Sequence, residues 1–388
     1  MNKFRKFIII AVLSLTGLCL IVLAISAVSN LSLPRSSSVV ATLSEADKIR
    51  LAEAIHLRQE VGDAVWPGWG KADIPAIAYN ESYAFLVGLP DPADGWVKVP
   101  AGIQRGGPWE LVPDDTFFGA AYYRQRLPDA DTTPEAFTVQ VGERWAMSMQ
   151  TLDWMKIGLK RAIQSDLPGV LSPVFPYRLF IGQLVSGSDQ YISILAHETF
   201  HAYEGTLAPD RLAEAEQANT AYESQYPWDD PPFKADWQAE LDLLASALKS
   251  TDREETVKLV RQFIDQRAVR RERAGLSAEL IAYEQNREWL EGLARYAELE
   301  IWRQAYSRTY APLPETKALS DFSGYSGIEH RWSLEIRQIT MMAGDEGDGR
   351  FYYTGMAQAF LLDRFIPDWK TKAFEEGVWL EDLLAEIR

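Results

Sequence analysis

Ile194-Leu195-Ala196-His197-Glu198-Thr199-Phe200-His201-Ala202-Tyr203 carries the spacing H-E-x-x-H. Residues four apart on a helix share a face, so His197 and His201 can hold one zinc ion through neutral imidazole nitrogens. Glu198 adjoins the first of them and can reach a water on the metal, where it would act as general base. A chance match is a poor account. The chain of 388 residues has 4 histidines, and the motif uses two of them at a fixed spacing around a glutamate. Ile192, Ile194, Leu195 and Phe200 give the segment a buried side. The pattern predicts a helix from about Ser188 to Tyr203, with Gly205 as its stop.

Two histidines do not complete a catalytic zinc site, which uses three protein ligands. Three and six positions after His201 stand Glu204 and Leu207, so no glycine and histidine continue the motif there. Asp210, after Gly205-Thr206, offers a carboxylate but follows the helix too closely. The better candidate is Glu291, in Glu291-Gly292-Leu293-Ala294-Arg295-Tyr296-Ala297-Glu298. A carboxylate on a second helix can face the histidine pair. Glu291, Arg295 and Glu298 fall at i, i+4 and i+7 on one face. Glu298 is therefore expected behind the ligands, holding an imidazole or Arg295. The plain alternative for such a cluster is a solvated, salt-bridged helix face.

Together, H-E-x-x-H and E-G-x-A-x-Y-x-E resemble the two motifs of the gluzincin metallopeptidases, most of all the aminopeptidase N-like and glycyl-aminopeptidase-like branches. The resemblance covers the two helices only. It implies His197, His201 and Glu291 as zinc ligands, Glu198 as base, and a peptide or protein as substrate. It also implies an oxyanion donor from the C-terminal part, for which Tyr352-Tyr353 and His330 are available; Tyr353 and His330 are carried forward. Tyr177–Ile181 reads as a strand, and in this class it would be the edge strand that takes up extended peptide by β-addition. The chain departs from those branches in a long interval between His201 and Glu291. That interval includes the basic run Arg267–Arg273 and reads as an insertion. Leu290 precedes Glu291 where those branches carry asparagine, and no exopeptidase motif lies upstream.

The rest of the chain supplies context. Hydrophobic residues make up 47% and charged residues 24%, a globular balance with ample core material. Lys+Arg is 39 against Asp+Glu 55, a net charge of −16 that would repel phosphate backbones and argues against nucleic-acid binding. The single cysteine, Cys19, excludes an internal disulfide and any thiol chemistry in the body. Met1–Lys6 is basic and Phe7–Val28 carries no charge, which suits the ~20 apolar residues of a membrane span. Residues 1–30 are expected to be a membrane anchor or a signal peptide, with Ala27-Val28-Ser29 as a cleavage site. Either would place the body outside the cytoplasm, anchored or secreted. Residues 31–42 read as a linker, 43–150 as a β-rich N-terminal domain and 151–388 as a helical domain of zincin type. The fold expectation is α+β. The function expectation is a zinc-dependent hydrolase, with an extracytoplasmic binding or envelope-assembly module that retains a zinc site as the alternative.

Overall fold

Ser44 accepts a hydrogen bond from the amide of Asp47 and so starts the first long helix, α1 (Glu45–Val65). The computed structural model describes residues 17, 21–100, 102–127, 139–185, 187–307 and 310–387. After α1, short strands alternate with turns rich in glycine and proline. They are β1 (Ala76–Tyr79), β2 (Tyr83–Val87), β3 (Trp96–Lys98), β4 (Ile103–Arg105), β5 (Glu110–Leu111), β6 (Tyr123–Arg126), β7 (Val139–Val141) and β8 (Arg144–Gln150). Asn80 Oδ1 accepts from the amides of Ser82 and Tyr83 and closes the β1–β2 turn. The sheet runs β4-β3-β7-β8-β1-β2-β6-β5 and is curled. Among the described residues only β1 and β8 pair in parallel.

Side chains alternate across the sheet, as a period of two requires. Ala76, Ala78, Phe85, Val87, Met147 and Met149 join a core that extends from Leu43 to Ile387. On the other side Ile77, Tyr79, Leu86, Trp96 and Val141 form a smaller core.

Helices follow the sheet: α2 (Leu152–Asp166), α3 (Tyr177–Leu184), α4 (Ser188–Leu207), α5 (Pro209–Tyr222), α6 (Pro231–Lys249), α7 (Arg253–Ala274), α8 (Ala278–Arg287), α9 (Leu293–Ser307), α10 (Ile328–Ile339), α11 (Gly349–Phe365) and α12 (Leu380–Ala385). The side chains of Asp230, Asp252 and Ser277 cap α6, α7 and α8. A π-helical turn, Glu288–Gly292, joins α8 to α9. Helix α4 packs against β8, α1 and α9.

Two expectations are corrected. Tyr177–Ile181 is not a strand: it forms α3, with Tyr177, Ile181 and Val185 buried at intervals of four. That burial follows the helical period and not the alternation of a strand. The strand that does pack on α4 is β8, and both its edges are taken, by β7 and β1. No free edge for added peptide lies on that strand. Second, no helix among the described residues is long and apolar enough to cross a membrane, so a single N-terminal anchor is not supported. The outward placement that rested on it loses its basis. Residues 21–31 are helical, and at ~1.5 Å per residue they fall well short of the ~30 Å a bilayer core requires. The earlier part of the run, residues 7–16 and 18–20, lies outside the described residues.

Candidate metal centre

Both ends of α4 are fixed by contacts distant in sequence. At its start Asp189 accepts from the amides of Ser323 and Tyr325, each at 2.6 Å. Near its end Gly205 faces the ring of Trp145 on β8, where a Cβ would overlap the indole. That glycine allows close helix–sheet packing, and the helix continues past it to Leu207. Leu195, Ala196 and Phe200 enter the core.

The π turn carries the second motif. Its first residue, Glu288, accepts from Arg267 Nη1 at 2.8 Å, Arg267 Nη2 at 2.6 Å and Gln358 Nε2 at 2.8 Å. At its other end a Cβ on Gly292 would overlap Gly355 of α11, and one on Gly355 would overlap the carbonyl of Glu288. Two glycines thus let α11 lie directly on the turn that bears Glu291. Such π turns are rare and concentrate at functional sites.

The three expected ligands meet. His197 Nε2 and His201 Nε2 are 3.1 Å apart, and Glu291 Oε2 lies 3.5 Å from the first and 3.4 Å from the second. Ligands held at ~2.0–2.1 Å in a tetrahedron stand about 3.3 Å from one another, so this triangle has the size a small cation demands. His197, His201 and Glu291 are 7%, 5% and 6% exposed. Glu291 Oε2 is buried without a hydrogen-bond donor, a costly state that a cation would relieve. Among the described residues these three form the group able to hold a metal ion. Two imidazoles and a carboxylate suit zinc and several other first-row divalent ions.

A second layer orients this group. His201 Nδ1 bonds Glu204 Oε2 at 2.7 Å, and His197 Nδ1 faces Glu298 Oε2 at 3.5 Å. Both Nε2 atoms are thereby turned toward the centre. Arg295 donates to Glu298 at 2.5 Å and to Glu335 at 2.6 Å, so Glu298 is itself held. Arg287 donates to Glu291 Oε1 at 2.7 Å and to Asp348 at 2.5 Å, which leaves Glu291 Oε2 for the centre. Sequence reasoning singled out neither Glu204 nor Arg287 as a partner. Each had a signal: Glu204 is three residues after His201, and Arg287 is four before Glu291.

Glu198 is 6% exposed, and its Oε2 has no donor. Burial lifts its carboxyl to about 8, with the two histidines opposing. Burial works against the charged form of His197, yet Glu291 and Glu298 raise it to about 9. Burial, with Glu291 and Asp348 next, holds the phenol of Tyr352 well above its ordinary range, so it keeps its proton. The Tyr352 ring lies parallel to that of His197 at 6.0 Å. Tyr353, one residue on, turns instead to the Arg295 guanidinium, 5.8 Å from its ring. His330 is exposed on α10 and lines a cavity that includes none of the three ligands.

No family model, curated protein or solved structure matches this chain.

Proposed function

We propose that this protein is a zinc-dependent peptidase with a gluzincin-type ligand set. One observation carries the reading: Glu291 Oε2 stands 3.4–3.5 Å from the Nε2 atoms of both histidines, with the adjoining Glu198 buried beside them. When bound, zinc supplies Lewis acidity toward a carbonyl and makes water a stronger acid. The chain's own residues supply the rest. Once ionised, Glu198, whose Oε2 no protein group donates to, can take a proton from water and pass it to the leaving amine. The neutral Tyr352 hydroxyl can donate to negative charge gathering on the carbonyl oxygen. Glu204, Glu298 and Arg287 hold the ligands in orientation.

The test is hydrolysis of a peptide library by the zinc-loaded full chain. Glu198→Gln should keep the metal and lower kcat by ~10²–10⁴. A Glu198→Gln protein as active as the unaltered one would remove the base from the account. The low exposure of the site favours a second reading, a binding module that retains zinc with little turnover. A zinc-loaded protein that cleaves no library peptide would favour it.

A further inference from the structure

Helix α3 exposes apolar side chains as well as burying them. Tyr177 and Ile181, with Val185 just beyond, are buried, yet Leu184 and Phe180 beside this stripe and Leu179 opposite it are 51%, 43% and 59% exposed. Exposed Arg178 and Gln183 interrupt this apolar surface, which still leaves three large apolar side chains of one short helix in the open. The neighbourhood continues the pattern. Val170 and Leu171, just ahead in the chain, are 83% and 50% exposed. The ring of Phe175 packs on that of Phe180 at 4.7 Å and joins the two stretches. Asn30, next to the exposed Leu31, donates to the carbonyls of Pro173 and Phe175. Single exposed apolar residues are ordinary, but a contiguous patch marks an interaction surface.

Cations gather beside this patch. A cavity of about 420 Å³ between α2, α3 and residues 33–34 is lined by Leu33, Lys156, Lys160, Arg178, Ile181 and Val185, among others. Arg161 donates to the carbonyl of Arg35 next to it. Among the described residues no ion pair engages Lys156, Lys160, Arg161, Arg178 or Arg35. Burial, and after it the neighbouring Arg35 and Arg161, pushes the Lys160 ammonium below its ordinary range. The acid in the cavity lining, Asp321, bonds Ser188 and Arg50 and also offsets part of the Lys156 charge. In a chain of net charge −16, a local excess of positive charge against an apolar patch is complementary to one kind of surface.

We propose that Val170, Leu171, Leu179, Phe180 and Leu184, with Lys156, Lys160, Arg161 and Arg178 beside them, rest on an anionic lipid bilayer, lying on its surface without crossing it. The apolar side chains enter the headgroup boundary, and the cations meet lipid phosphates.

Hydrogen exchange of the full chain tests this. The probes are vesicles of phosphatidylcholine with phosphatidylglycerol, and vesicles of phosphatidylcholine alone. Amides of α3 should exchange about tenfold more slowly with the anionic vesicles and be unchanged with the neutral ones. High salt should weaken the protection. Lys160→Glu/Arg178→Glu should raise the lipid concentration for half-protection at least ~10-fold. Leu179→Ser/Phe180→Ser should abolish it, with exchange in α4 unaltered as the control for folding. No protection by anionic vesicles, or equal protection by neutral ones, overturns the proposal. So does a dimer in sedimentation that Leu179→Ser/Phe180→Ser dissociates, because a second copy would then cover the face.

Discussion

His201 has one ring nitrogen toward the centre and the other on Glu204; His197 has the same arrangement with Glu298. The two carboxylates are not equal. Glu204 is fully buried and bonds its imidazole at 2.7 Å, whereas Glu298 stands 3.5 Å away and is shared with Arg295. Glu204→Gln keeps the size of the side chain and removes the charge behind His201. Zinc affinity should fall ~10–100-fold, read by competition with a chromophoric chelator. An affinity unchanged within twofold would mean that Glu204 does not orient the ligand. Tyr352 and Tyr353 show what a single residue's position decides. Neighbours on a helix point ~100° apart. Tyr352 reaches His197, and Tyr353 reaches Arg295. Tyr352→Phe should keep zinc and the melting temperature but lower kcat by ~10²-fold or more, while Tyr353→Phe should leave all three unchanged. Steady-state kinetics on one cleaved peptide checks both.

At the level of elements, the H-E-x-x-H helix was legible because its spacing is the helical period itself. Its carboxylate partner was legible for the same reason. The π turn was not. Glu288 is held by Arg267 and Gln358, 21 and 70 residues away, and Gly292 is matched to Gly355, so its register is set by partners no local pattern reveals. The apparent insertion between His201 and Glu291 contains part of that support, because α7 supplies Arg267. Helix α3 misled in another way. Tyr177-Arg178-Leu179-Phe180-Ile181 is rich enough in aromatic and branched residues to pass for a strand, and only the burial of Tyr177, Ile181 and Val185 sets its period. The glycine contact gives a prediction at this scale. Gly355→Ala forces α11 away from the π turn and should cost ~1–3 kcal/mol, read from denaturant unfolding. It should also weaken zinc binding, since the turn carries Glu291. Unchanged stability and unchanged zinc binding would show that the close crossing is not needed.

Across the whole molecule, a buried ionic network ties the helices that brace the site. Arg267 joins Glu240, Glu288 and Glu381; Arg270 joins Glu240 and Glu284; Arg271 joins Glu284 and Glu381. Burial opposes the charge on Glu381, but Arg267 and Arg271 hold its carboxyl down at about 2. An unfolded glutamate titrates near ~4.3. Its stabilising share is therefore complete above ~4.3 and lost as pH falls toward ~2. Melting temperature should drop steeply from pH 5 to pH 2, and less steeply in Glu381→Gln. That variant should already be weaker at pH 7 by ~3–5 kcal/mol, because it leaves buried arginines underpaired. Equal slopes in the two proteins would contradict the network's role. Elemental analysis of the purified full chain is the direct test of the metal centre. About one zinc per chain is expected, kept in Glu198→Gln and lost in Glu291→Ala. Unaltered protein that holds no zinc even after incubation with it would contradict the account.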